Sequence, residues 1–109
     1  MAEGRGWVGF DLDGTLAYYD GWKGYAHIGE PIPAMVAALR TYLDAGFPVR
    51  IFTARADHPL GVSAVEDWCL EHIGVRLPVT NVKDFACVTI YDDRAVQVES
   101  NTGRIVKDG

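Results

Sequence analysis

Hydrophobic and polar positions alternate between strand-like runs and helical periods along the chain. Trp7-Val8-Gly9-Phe10-Asp11-Leu12 is a short apolar run that stops at Asp13-Gly14-Thr15, which predicts a buried strand entering a tight turn. From Pro33 to Ala45, Val36, Leu39 and Leu43 recur at helical spacing, with Pro33 suited to the first turn and Gly46 to the position after the last. Phe47 to Thr53 is again strand-like. A second helix is expected from Pro59 to His72, with Val62, Val65, Cys69 and Ile73 on one face. Ser63 and Glu66 stand at capping-box spacing, His58 is a helix-start residue, and Gly74 marks the stop.

Pro78 to Val82 reads as a short strand or an extended connection, and Cys87 to Tyr91 as a buried apolar strand ending at Asp92-Asp93. The tail, Val96 to Val106, has the pattern of a terminal β-hairpin around Asn101-Thr102-Gly103. Strands alternating with helices predict a single Rossmann-like α/β domain, 1–109, with a mostly parallel sheet flanked by helices. In such domains ligands bind beyond the carboxyl ends of the strands.

Composition narrows the picture. A chain of 109 residues can bury one core but not two. Its 49% hydrophobic and 23% charged residues are those of a folded protein. No apolar run approaches the roughly 20 residues of a membrane span, and the first residues lack a secretory apolar stretch, so a cytoplasmic location without membrane partners is expected. The net charge of −5 argues against an extended nucleic-acid-binding surface. Cys69 and Cys87 lie in apolar patterns without metal-ligand spacing and are expected to be reduced core residues.

The candidate chemistry lies at the strand ends. Asp11-Leu12-Asp13-Gly14-Thr15 has odds on the order of one in a thousand of arising in a chain this long at average residue usage. Asp11 and Asp13, two apart, point to the same side if the strand persists that far. The plainer alternative is a polar strand-to-loop turn. Thr53-Ala54-Arg55 follows the second strand, where a hydroxyl, backbone amides and a guanidinium suit phosphate oxygens. Taken singly, Thr53 is a strand-end cap, Arg55 a solvated charge and Lys83 an exposed lysine. Asp92-Asp93 crowds two carboxylates that need a cation or proton, unless Arg94 neutralises one in a turn. Together, Asp11, Asp13, Asp92 and Asp93 offer hard oxygen ligands for Mg²⁺, while Thr53, Arg55 and Lys83 offer donors to a phosphoryl group.

With these residues the sequence resembles the haloacid dehalogenase superfamily, most of whose members are phosphatases. Asp11-Leu-Asp-Gly-Thr is similar to its first motif, Phe52-Thr53 to its second, Lys83 to its third and Asp92-Asp93 to its fourth, across about residues 7 to 98. Tyr91-Asp-Asp-Arg is also similar to the fourth motif of polynucleotide-kinase phosphatase domains, and small phage and bacterial members share the Phe-Thr-Ala-Arg and Asp-Asp-Arg phrasing. The resemblance implies an Mg²⁺-dependent phosphomonoester hydrolase. Asp11 would be the nucleophile forming an aspartyl-phosphate, and Asp13 the general acid and base. Thr53, Ala54, Arg55 and Lys83 would bind phosphate. Asp11, the Asp13 carbonyl and Asp93 would hold the metal, with Asp92 behind Asp93.

One departure is the lack of room for a cap. Only Ala17 to Ile32 separates the first motif from the first helix, and one helix fills most of the span from Thr53 to Lys83. The site is therefore expected to be open unless a second subunit of a homo-oligomer covers it. Tyr18, Tyr19, Trp22 and Tyr25 in this insert suit stacking on an aromatic leaving group, with Lys23 near a second phosphate; the alternative is a flap packed on the domain. His27 has no catalytic task. The expected partner is a small phosphorylated substrate, such as a nucleotide, a sugar phosphate or a polynucleotide end. A noncatalytic binding domain, and transfer to an acceptor other than water, are the competing readings.

Overall fold

The structure, a computed structural model, describes residues 6–106. Its elements are β1 (Trp7–Phe10), α1 (Pro33–Asp44), β2 (Val49–Phe52), a 3-10 turn (Ala54–Asp57), α2 (Pro59–His72), β3 (Val79–Thr80) and β4 (Cys87–Tyr91). The four strands form one all-parallel sheet in the order β3-β2-β1-β4. No described helix is long and apolar enough to cross a membrane.

Both helices begin on proline, whose missing N–H costs nothing in the first turn. Gly46 (φ 84°) and Gly74 (φ 101°) follow their ends in the left-handed region that glycine enters freely. The α2 cap differs from the capping-box expectation. His58 Nδ1 accepts from the Leu60 N–H at 3.0 Å, while Ser63 and Glu66 lie inside the helix. The box spacing was met one turn too late to act on the helix's free amides.

Sheet topology decides where the core lies. From β1 to β2 to β3 the chain steps in one direction, so right-handed crossovers place α1 and α2 on the same face. There Val8, Phe10, Val49 and Ile51 pack with Val36 and Leu39 of α1 and Val65, Trp68 and Cys69 of α2. The helices thus flank one face only. The return from β3 to β4 has just six residues, 81–86, too few for a crossover helix.

The opposite face is covered by side chains of the sheet itself and this connection. Trp7 is 1% exposed, with the Arg50 guanidinium 4.7 Å from its ring centre and its Nε1–H donated to Asp84 Oδ1 at 2.8 Å. Arg50 also pairs with Asp84 at 3.5 Å. For the same reason β4 is not the buried strand its composition suggests. It is a sheet edge with Val88 and Thr89 exposed, and Cys87 is only half-buried, whereas Cys69 is fully buried. The terminal hairpin is present in minimal form, as one antiparallel bridge between Val98 and Ile105.

Candidate active site

The sheet reverses direction at β1, with β2 on one side and β4 on the other, and the crevice beyond the strand ends at such a switch point is where α/β domains bind ligands. Asp11 follows β1 and Asp92-Asp93 follow β4. The Asp11 N–H donates to the Tyr91 carbonyl at 2.9 Å, which extends the β1–β4 pairing by one residue and brings the two acidic segments together. One carboxylate oxygen from each of Asp11, Asp92 and Asp93 lies within 4.8 Å of the other two.

The turn after Asp11 is built for this approach. Gly14 has φ 89°, and a Cβ there would sit 2.5 Å from Asp93 Oδ2. Thr15 is buried and stitches the two segments. Its Oγ1 accepts the Asp93 N–H at 3.0 Å, and its own proton lies between Asp93 Oδ1 at 3.1 Å and Asp11 Oδ2 at 3.4 Å. Sequence reasoning assigned Thr15 no task, although it completes the Asp-x-Asp-Gly-Thr pattern.

Crowding perturbs the acids. Burial, then a hydrogen bond to Asp93 and the charges of Asp92 and Asp93, push Asp11 up to about 7, against a smaller opposing pull from the Leu12 N–H. At Asp93 lost solvation pushes upward. Hydrogen bonds from Asp11, its own backbone and Thr15 outweigh it and leave the group below its ordinary value.

Asp13 stands apart from the acidic triad. Both its oxygens are held by Arg55, Nε to Oδ2 at 2.7 Å and Nη2 to Oδ1 at 2.9 Å. Arg55 is 4% exposed, and its remaining N–H groups go to the carbonyls of Gly24 at 3.3 Å, Tyr25 at 2.9 Å and His27 at 2.9 Å. A guanidinium has five N–H donors, and all five are used. This corrects the expectation that Arg55 binds phosphate: the side chain has no donor to spare. Thr53 caps the 3-10 turn by accepting the Arg55 N–H at 3.2 Å. It also lines the cleft with Ala54.

Lys83 is the second correction. It is exposed and does not line the cleft. At Cys87, the first residue of β4 and the far end of that strand from Asp11, burial raises the thiol and the Lys83 charge partly offsets it. With no helix after β3, the 81–86 connection heads directly for the start of β4 and takes Lys83 with it. Besides the committed Arg55, the basic residue lining the cleft is Arg94, whose backbone N–H donates to Asp92 Oδ1 at 2.8 Å.

Residues 18–30 form a flap closed at its base by the Ala17–Pro31 bridge and the Tyr18 N–H to Glu30 carbonyl bond of 2.8 Å. Trp68 of α2 pins its end through Gly29 at 3.0 Å. The flap aromatics divide between the two roles expected of them. Tyr25 is committed to the fold, its OH donating to Asp57 Oδ1 at 3.0 Å and its ring stacked on His58 at 4.9 Å. Tyr18 faces solvent outside the cleft, while Tyr19, Trp22 and the anchored Tyr25 line it. Lys23 pairs with Asp20 at 2.9 Å rather than reaching into the cleft. The cleft holds about 750 Å³, within the range of small-molecule sites.

No protein-family model matches the chain, and no curated protein matches it. The solved structure of a conserved protein coded by a locus from Bacteroides thetaiotaomicron is similar, with a TM-score of 0.64 and 22% identity, covering 84% of this chain and 78% of that one. That likeness speaks to the α/β fold alone.

Proposed function

We propose that the chain is a capless, Mg²⁺-dependent phosphomonoester hydrolase of the haloacid dehalogenase type, with Asp11 as nucleophile. The observation that carries the reading is the meeting of Asp11 with Asp92 and Asp93 at the strand ends, beside a separately held Asp13. Three carboxylates converging on one point make the hard donor set that Mg²⁺ prefers, and the burial that mainly pushes Asp11 up, together with the nearby Asp92 and Asp93 charges, penalises an ionised group that a cation would stabilise. Asp11, Asp93 and the Asp13 carbonyl are the proposed holders, with Asp92 adjacent. Bound there, the ion would screen the charge between the nucleophile and the phosphoryl oxygens.

In the first half-reaction an Asp11 oxygen bonds to phosphorus, the phosphorus–oxygen ester bond breaks, and Asp13 gives the leaving oxygen a proton. In the second, water attacks phosphorus, Asp13 takes a proton from it, and inorganic phosphate leaves Asp11. Thr53, which lines the cleft, would orient the phosphoryl group. Arg55 acts one step back, by fixing Asp13, and one of its two bonds to the carboxylate must yield for that oxygen to carry the proton exchanged with the leaving group and the water.

The deciding experiment is hydrolysis of a phosphate-ester panel with Mg²⁺ by the wild-type chain and by Asp11→Asn, with acid-quench trapping of phosphate on Asp11. Mg²⁺-dependent release by the wild type, lost in Asp11→Asn, is the expected outcome. Equal release by a pure, deamidation-free Asp11→Asn sample would remove the covalent route. Release to an added alcohol in preference to water would favour phosphotransfer.

A further inference from the structure

Resting on that reading, the structure points to a substrate class: we infer that the cleft takes a nucleoside monophosphate, with its base on the outer face of Trp22. The Trp22 ring is held as a platform. The Arg55 guanidinium lies 4.9 Å from its centre on one face, and Tyr25 meets it edge-on at 5.1 Å and 86°. Arg55 is itself fixed by five hydrogen bonds, and Tyr25 by Asp57 and His58. Despite this backing Trp22 is 55% exposed and lines the same cleft as Asp11 and Asp13, which leaves much of the indole open to a planar group. A ring held this way loses little freedom on stacking, which is why a preorganised aromatic surface binds well. Tyr19, 38% exposed, adds a second aromatic wall.

Polar groups in the cleft suit a neutral base and ribose better than further phosphates. Asn81 offers an amide donor and acceptor, and Asp57 keeps one oxygen beyond that bonded to Tyr25. Against the four acids lining the cleft, Asp11, Asp13, Asp57 and Asp92, stand only Arg55, wholly committed, and Arg94. A single phosphoryl group has Arg94 and the proposed metal to meet it. A second or third phosphate would face carboxylates without a free cation, since Lys23 is paired outside the cleft. The same balance, with the overall charge of −5, favours a free mononucleotide over a polynucleotide end, whose neighbouring phosphates need basic groups.

The test compares kcat/KM with Mg²⁺ for adenosine 5′-monophosphate, ribose 5-phosphate, adenosine 5′-diphosphate and a 5′-phosphorylated oligonucleotide. The first two differ only in the base. The nucleotide should be preferred over ribose 5-phosphate by about tenfold or more, the scale of one base–aromatic stack. Trp22→Ala should collapse that ratio and Trp22→Phe should keep most of it. An equal rate on both in the wild type, or a ratio unmoved by Trp22→Ala, overturns the inference and leaves the phosphatase reading intact. Preference for the diphosphate or the oligonucleotide also overturns it. Should no ester be hydrolysed, the phosphatase reading fails, and calorimetric titration of Asp11→Asn with the nucleotide and with ribose 5-phosphate decides the ligand class by itself. Tighter nucleotide binding upholds the class, and equal binding defeats it.

Discussion

Arg55 grips both oxygens of Asp13, at 2.7 and 2.9 Å, with the same guanidinium that holds three flap carbonyls. Flap position and carboxylate orientation are therefore one mechanical variable. A displaced flap would pull carbonyl acceptors away from Arg55, and a displaced Arg55 would release both the flap and Asp13. This shared anchor gives the 18–30 segment a direct connection to the proposed acid–base group.

Arg55→Lys should lower kcat by about 100-fold or more, because one ammonium replaces a planar fork and small misplacements of a catalytic group are costly. Arg55→Ala leaves a largely buried carboxylate unpaired and should destabilise the fold by about 3–5 kcal/mol. The lysine variant is thus the informative one. Trypsin cleavage after the exposed Lys23 should quicken as the flap loosens. A variant with wild-type kcat and an unchanged cleavage rate would show that the grip on Asp13 is incidental.

Chelation of Mg²⁺ should abolish turnover and readdition should restore it, with Ca²⁺ a poor substitute because its larger, looser coordination misplaces the nucleophile. Mg²⁺ should also raise the melting temperature of the wild type more than that of an Asp93→Asn variant, since an ion that binds only the folded state stabilises it by mass action. Equal shifts in the two proteins would move the metal away from the triad.

Without metal, Asp11 makes the fold weaker as pH rises. Its folded value, pushed up to about 7, lies above the ordinary 3.8, so between them the folded state holds a proton that the unfolded chain has lost. Stability from this group is complete below the lower value and is lost as pH climbs through the higher one. The full shift would correspond to several kcal/mol, and partial solvent exposure reduces this to about 1–2 kcal/mol. Asp11→Asn should then melt higher than wild type at pH 8 in chelator, with the gap closing toward pH 4. A gap of constant size across that range would place the cause elsewhere.

Much of this architecture is legible in the sequence because short-range rules govern it. Pro59 and His72 bound α2 as the apolar period and proline placement dictate, and Asp11 follows β1 just before a turn whose Gly14 takes the left-handed conformation. What local rules miss is set by distant partners. Nothing near Arg55 announces that its donors belong to Asp13 and to carbonyls some thirty residues earlier. The half-exposed state of Cys87 follows from strand order, which residue composition does not encode. One long-range feature does have a sequence signal: six residues between Thr80 and Cys87 are too few for a helix, which forces the one-sided helix layer.

That same short connection sets up the sharpest conflict between resemblance and geometry, and the last prediction is drawn from it. By resemblance, Lys83 should touch the phosphoryl group and temper the charge on Asp11. In the structure Lys83 is exposed at the far end of β4, and Arg94 lines the cleft beside Asp92. A cation acting on the transferred group contributes through charge-assisted bonds in a water-poor site, and losing one such donor costs about 100-fold or more in kcat. Arg94→Ala should therefore reduce kcat/KM on every phosphate ester by about that factor, whereas Lys83→Ala should change it by less than about threefold, as for a surface charge. Arg94→Lys should recover part of the loss, because charge is kept while the fork is not. The opposite ranking, with Lys83→Ala inactive and Arg94→Ala near wild type, would mean that the 81–86 connection rearranges when substrate arrives and carries Lys83 over the strand ends. Comparing the two alanine variants on ribose 5-phosphate, which lacks the base, keeps this result independent of whatever Trp22 contributes.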